Sequence, residues 1–275
     1  MLELAGLAFA HAAVAEASWR EVPADHLLLI ETDEGPITVL LSEHLAQDHV
    51  EQLRTLTKQE FYDGLSFYRV IEGFVAQGGD HSDRMDKGRA SKALAPEFEE
   101  PLPDGAVFTP LESVDGYAYE AGFIGPHEAG RARDGTVWLA HCTGAFAFAR
   151  DDDPASASTE FYITLQPQRY LDRNLTVAGK VIDGMTTVQR LPRGVVGESG
   201  RRDDFDGRAT IISMRFASEL PEAGRPRYEV IDTASPAFRE MIESRKARPE
   251  PFFVHRPGHV DLCQVGVPVR DVPFE

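Results

Sequence analysis

Cysteine is almost absent from this 275-residue chain. Cys142 and Cys263 stand alone and make no thiolate metal motif. The histidines supply no ligand spacing either: His44 and His49 are five apart, off a common helical face. No metal site is therefore expected. Positive charge is also scarce, 28 Lys and Arg against 45 Asp and Glu for a net charge of −17. That balance argues against a nucleic-acid binder, which needs a basic face, and against adhesion to anionic membranes. No apolar run is long enough to span a bilayer. No Ser or Cys sits in a nucleophile elbow, and Asp151-Asp152-Asp153 reads as a solvated loop, which leaves a hydrolase little footing.

What is present is a soluble, globular composition, 42% apolar and 27% charged, with enough length for one large domain and an extension. Leu4 to Val14 is short, apolar and Ala-rich, and Ala13-Val14-Ala15 resembles a signal-peptidase site. Glu3 and the lack of Lys or Arg make a poor n-region, so an amphipathic helix packed on the domain is the competing reading. Residues 1–24 are read as a signal peptide and tether, which places the protein in the periplasm or outside the cell; without cleavage it is cytoplasmic. The two cysteines are two buried thiols, or, in an exported chain, a Cys142–Cys263 disulfide.

Taken in order, Leu27 to Thr32 and Ile37 to Leu41 are β-rich runs around the turn formers Asp33-Glu34-Gly35-Pro36, a β-hairpin. Ser42 is placed as N-cap of a helix to about Lys58, whose apolar face is Leu45, His49, Leu53 and Leu56 with Ala46 and Val50. His81 to Lys92 reads as an exposed loop, and Thr109 to Arg133 fits no regular period. Thr136 to Ala149 reads as strand, bend and strand. Glu160 to Leu165 is a strand, Asp183 to Leu191 a second helix and Thr210 to Phe216 a closing strand. Further on, Ser235-Pro236 starts a helix from Ala237 to about Ala247, and Phe252–Val254 and His259–Val269 are short extended runs.

The stretch Phe61 to Asp80, FYDGLSFYRVIEGFVAQGGD, carries one cation, Arg69, among aromatic and apolar neighbours. Strand alternation places Phe67, Arg69 and Ile71 on one face and Tyr68 and Val70 on the other. Gly73, Phe74, Gln77, Gly78, Gly79 and Asp80 complete a block that closely resembles the signature of cyclophilin-type peptidyl-prolyl isomerases. Phe148-Ala149-Arg150, Asp153-Pro154, Glu160-Phe161-Tyr162-Ile163, Leu171-Asp172 and Val177…Gly179-Lys180-Val181…Gly184-Met185 resemble a second bacterial block of that family. The likeness runs from about Leu27 to Phe216. It implies a mainly β fold, an eight-stranded antiparallel barrel capped by two helices over residues 25–216. An insertion at about 81–133 interrupts it, and a C-terminal α/β extension over 217–275 packs on the barrel.

The resemblance implies rotation about X-Pro amide bonds in unfolded or folding protein substrates, with no cofactor. Arg69 would stabilise the twisted amide, Gln77 would hold a substrate backbone group, and Phe74 completes the catalytic set. Val75, Tyr162 and Leu171 would line the proline pocket, Tyr170 its rim, and the Ala149 backbone would pair with the peptide. Val75 stands where the family commonly has Met. Tyr162 replaces Phe and adds a hydroxyl that needs a partner, and Glu160 replaces Gln close to Arg69. These departures leave open a non-catalytic proline-peptide-binding or chaperone-like module on the same fold.

Overall fold

A computed structural model of the protein describes residues 18–80, 93–194, 200 and 207–273. The leader and the His81–Lys92 loop read from sequence lie outside those residues, except for the tether. That tether is instead a strand, β1 (Trp19–Glu21). It is followed by the hairpin β2 (Leu27–Thr32) and β3 (Gly35–Leu41), then helix α1 (Gln47–Lys58). Strands β4 (Ser66–Val70), β5 (Val75–Gly79), β6 (Glu100–Pro101), β7 (Phe108–Pro110), β8 (Glu120–Ile124), β9 (His127–Arg131) and β10 (Thr136–Leu139) come next. Then follow β11 (Ala145–Phe148), β12 (Phe161–Thr164), β13 (Val177–Asp183), helix α2 (Met185–Arg190) and β14 (Ala209–Phe216). The chain ends in β15 (Tyr228–Ile231), α3 (Pro236–Ala247) and β16 (Val269–Asp271).

Eight strands close into an antiparallel barrel in the order β11-β12-β5-β4-β14-β2-β3-β13. Its interior follows from alternation: Phe146 and Phe148 of β11, Phe161 and Ile163 of β12 and Ala76 of β5 all point inward. The same core takes in Val50, Leu53 and Leu56 of α1 and Val188 of α2, so the two helices plug the barrel.

The α1 helix starts later than Ser42. The Ser42 hydroxyl instead accepts the Leu45 amide at 2.9 Å, and Ala46 sits at φ 60°, leaving the helix without a capping side chain of its own. Glu97 takes that place from a distant loop, accepting the amides of Asp48 and His49 at 3.1 Å each and bonding the His49 ring. Burial alone would raise the Glu97 carboxyl, but these bonds from His49 and the helix amides outweigh it and hold it below the ordinary value.

The stretch without a regular period holds strands. Residues 100–139 form a five-stranded antiparallel sheet, β6-β10-β9-β8-β7, so the inserted sheet runs on past Arg133 to Leu139. Its strands are short and carry Gly at paired positions, which hides the period-2 signal. Trp138 pairs with Gly130 and lies flat over it: a Cβ there would come within 2.4 Å of the indole.

The C-terminal extension rests on this inserted sheet as well as on the barrel. Phe238, Ile242, Leu262 and Val265 pack with Leu111, Ala121 and Phe123, while Tyr228 and Val230 pack with Leu27 and Leu40. β1, β15 and β16 form a third small sheet. Of the two extended runs expected near the C-terminus, only Val269 falls in a strand; Leu262–Gln264 is a 3-10 turn. The sulfurs of Cys142 and Cys263 are bonded.

One buried group makes the contact between the inserted sheet and the barrel sensitive to acid. His127 of β9 is buried and bonded to the Leu41 carbonyl. Burial, and after it the nearby Lys180 ammonium, push the imidazole down from 6.5 to about 3. The unfolded chain binds a proton at His127 as pH falls below 6.5, whereas the folded chain does not until about 3. The contribution is thus intact above the unfolded value and erodes on acidification, at up to about 1.4 kcal/mol per pH unit. Denaturation midpoints at pH 7 and pH 5 should therefore fall more steeply for the wild type than for His127→Gln. Parallel profiles would refute the assignment.

Candidate functional site

The outer face of four adjacent barrel strands brings the sequence-predicted residues into one row. Ala147 of β11 pairs with Tyr162 of β12, Tyr162 with Gln77 of β5, and Gln77 with Arg69 of β4. Directly paired residues share a face, and neighbouring strands lie ~5 Å apart, so Arg69 and Tyr162 flank Gln77 across a width of ~10 Å.

β4 departs from simple alternation. Its register shifts between Phe67 and Arg69, so Phe67 and Val70 both face the core while Tyr68 and Arg69 both face outward. The expected grouping of Phe67 with Arg69 is therefore corrected by a β-bulge, which re-aims the cation without moving it off the strand.

Hydrogen bonds then orient each group. Arg69 donates to Gln77 Oε1 at 3.0 Å, and Gln77 Nε2 donates to Glu160 at 2.8 Å. The Tyr68 hydroxyl bonds both Glu160 and the Gln77 amide nitrogen. Glu160 thus acts on Arg69 through the Gln77 carboxamide, whose oxygen is turned toward the cation. The close approach of Glu160 depends on Gly79, at φ +117°, where a Cβ would stand 3.0 Å from the Glu160 Cα. The Phe74 ring lies 5.7 Å from the Arg69 guanidinium carbon.

Val75 and Tyr162 are buried, Phe74, Ala149 and Leu171 are half-buried, and Tyr170 is 59% exposed. Val75, Tyr162, Phe74 and Ala149 belong to one apolar cluster that also holds Phe108, Val137 and Leu139 of the inserted sheet. The insertion therefore packs on the same outer face of the barrel as these residues. Of the predicted site residues, Phe74, Ala149, Leu171 and Tyr170 keep surface that a ligand could reach. The Ala149 N–H is committed to the Glu160 carbonyl at 2.9 Å, so peptide pairing at this residue falls to its carbonyl.

Tyr170 and Leu171 lie on a 3-10 turn, Arg169–Leu171. Gln168, just before it, donates its side chain to the Gly73 carbonyl at 2.9 Å and its amide to the His141 carbonyl at 2.8 Å. This ties the turn to the Phe74 loop on one side and to residue 141 on the other.

The hydroxyl that Tyr162 adds has a partner, His141 Nε2, at 2.8 Å. His141 is fully buried, and its Nδ1 lies 3.1 Å from Asp172, which also accepts the His141 amide at 2.8 Å. An ionised carboxylate only accepts, so Nδ1 carries a proton, and in the neutral imidazole Nε2 then receives the phenol O–H. Burial, with the Asp172 charge second, raises the Tyr162 phenol well above its ordinary value, so it stays protonated. Tyr162 consequently presents a ring to the slot, with its polar end bonded underneath. Burial would raise Asp172, but His141 and Arg169 hold its carboxyl below the ordinary value.

His141 and Arg169 were not singled out by sequence reasoning, and Asp172 only as part of a motif. The available signal was the unpaired hydroxyl that Tyr162 demands.

Comparison with known proteins gives the family and the fold. Residues 27–215 match the family model described as cyclophilin type peptidyl-prolyl cis-trans isomerase/CLD. A probable peptidyl-prolyl cis-trans isomerase of Brucella suis biovar 1 is 27% identical over 177 residues, covering 64% of this chain and 76% of the relative. A peptidyl-prolyl cis-trans isomerase of Acinetobacter baylyi is 26% identical over 201 residues, covering 71% and 87%. The crystal structure of cyclophilin AquaCyp293 from Hirschia baltica superposes with a TM-score of 0.75 at 26% identity, over 94% of each chain. With the barrel, the Arg69–Gln77–Tyr162 row and a family match over most of its length, this chain belongs to the cyclophilin-type peptidyl-prolyl cis-trans isomerases.

Proposed function

We propose that the slot bounded by Phe74, Val75, Tyr162 and Leu171 receives the proline ring of protein substrates, with Tyr170 at its rim, and that Arg69 and Gln77 act on the amide. The observation that carries this reading is the register placing Arg69 and Tyr162 on either side of Gln77, with the Phe74 ring beside the cation. When the X-Pro bond twists, its nitrogen lone pair becomes localised and a better acceptor. A guanidinium placed there binds the twisted amide more strongly than the planar one. Both Gln77 Nε2 hydrogens are taken by Glu160 and Tyr68, so Gln77 offers a substrate backbone N–H the second lone pair of Oε1, and the Ala149 carbonyl accepts from the peptide in an extended, strand-like mode.

The test is cis/trans exchange in a proline tetrapeptide, followed by line-shape or protease-coupled kinetics. Acceleration over the slow uncatalysed rotation is expected. Binding of the peptide without acceleration would select a non-catalytic module instead.

We also propose that the substrates are exported chains passing through their folding. The Cys142–Cys263 bond supports this, since disulfides persist in oxidising compartments. Cell fractionation with N-terminal sequencing checks it: a mature protein starting at Met1 and confined to the cytoplasm would contradict export.

A further inference from the structure

Beneath the slot runs a chain of buried polar groups that ends in the insertion. Arg169 donates its Nε to Asp172 at 2.6 Å and its two terminal nitrogens to Asp115 at 2.9 and 3.1 Å. Asp115 lies between β7 and β8, outside the barrel. The side chains of Asp115, Arg169, Asp172 and His141 are 6%, 6%, 3% and 0% exposed. Tyr117, two residues on, lays its ring 5.1 Å from the Arg169 guanidinium carbon.

A buried Asp–Arg–Asp triad contributes little net stability, because desolvation offsets most of the attraction. What it does supply is geometry: a planar guanidinium held bidentately on one side and through Nε on the other has one orientation. Both substrate-facing parts hang from it. Arg169 opens the 3-10 turn that bears Tyr170 and Leu171, and Asp172 fixes the His141 tautomer that holds Tyr162.

We infer that Asp115 is a positioning residue of the isomerase site, acting through Arg169 and Asp172 on the slot floor and its outer lip. The insertion is thereby a determinant of substrate selectivity. The inference rests on the proposed assignment of the slot as the proline site.

The test compares kcat/KM of the full chain on proline tetrapeptides that differ in the residues flanking the proline. Asp115→Asn keeps the side-chain oxygen that accepts the Tyr117 and Ala118 amides at 2.8 and 2.9 Å, so the local turn survives while the charge is lost. It lowers kcat/KM by about tenfold and changes the rank order of the peptides. Asp115→Glu restores part of that order. Tyr117→Ala, at a half-exposed ring that leaves every ion pair in place, gives the same direction at about threefold.

A purely structural role would move the thermal midpoint but leave the ratios among peptides untouched. Unchanged ratios and unchanged kcat/KM per folded molecule, in Asp115→Asn or, should that variant not fold, in Tyr117→Ala, overturn the inference. A wild-type chain inactive on every peptide would instead remove the slot assignment on which it rests.

Discussion

Arg69→Ala lowers kcat/KM for X-Pro isomerisation by about 10²- to 10³-fold, the loss typical of removing one preorganised donor aimed at developing charge. The ground-state peptide offers the guanidinium almost nothing at its nitrogen, since amide resonance occupies the lone pair; the twisted peptide offers a free lone pair. The lost interaction therefore belongs to the transition state, and kcat falls with kcat/KM while KM moves little. Arg69→Lys recovers only a fraction. The Gln77 oxygen at 3.0 Å and the Phe74 ring hold a planar fork in place, and an ammonium on a flexible stem cannot reproduce that. The fold should tolerate both changes, because β4 contributes Phe67 and Val70 to the core while Arg69 points away from it. Peptide-exchange kinetics beside a denaturation curve give the answer. Wild-type rates in a folded Arg69→Ala protein would end the mechanism.

The barrel was legible because two signals coincided. Alternating runs such as Ile37 to Leu41, which sends Ile37, Val39 and Leu41 into the core, have one buried face and so obey period 2, and motif glycines such as Gly79 mark places where only a hydrogen fits. Site membership was legible for Arg69, Phe74 and Gln77 because they share one local block. What escaped was non-local. The bulge in β4 depends on pairing with β5, so alternation alone misassigned Phe67 and Tyr68. The α1 cap is supplied by Glu97, far along the chain, and nothing near Ser42 reveals that. The inserted sheet escaped because its strands are short and Gly-bearing, and its apolar face is split between the barrel and the extension. Asp115 and Arg169, with intervening sequence that has no period, meet only in three dimensions.

Loss of the Cys142–Cys263 bond should cost about 4–5 kcal/mol by the loop-entropy account, because the cross-link closes a long stretch of chain. The two cysteines are 121 positions apart. For a chain of this size that is a fall of roughly 10 °C or more in thermal midpoint. The enclosed segment explains why the effect should be cooperative. Between the two cysteines lie β11 to β14 of the barrel and most of the extension, including β15 and α3, so opening the bond frees both layers at once. At one end, Cys142 follows His141, the residue that holds the Tyr162 hydroxyl; at the other, Cys263 sits in the 3-10 turn Leu262–Gln264, whose Leu262 packs in the cluster with Phe238 and Ile242. That cluster opposes the loss. Burying Phe238 alone is worth several kcal/mol, about 3–5 by the usual cost of Phe→Ala in a core. The extension should therefore remain docked in the reduced protein at room temperature while opening more often, with faster amide exchange in α3 than in the barrel strands. Thermal melts with and without reductant, and of a Cys142→Ser/Cys263→Ser variant, measure the first effect; hydrogen exchange measures the second. A midpoint that moves by less than about 2 °C would mean that the apolar cluster alone fixes the extension, and that the cross-link constrains little that packing does not already hold.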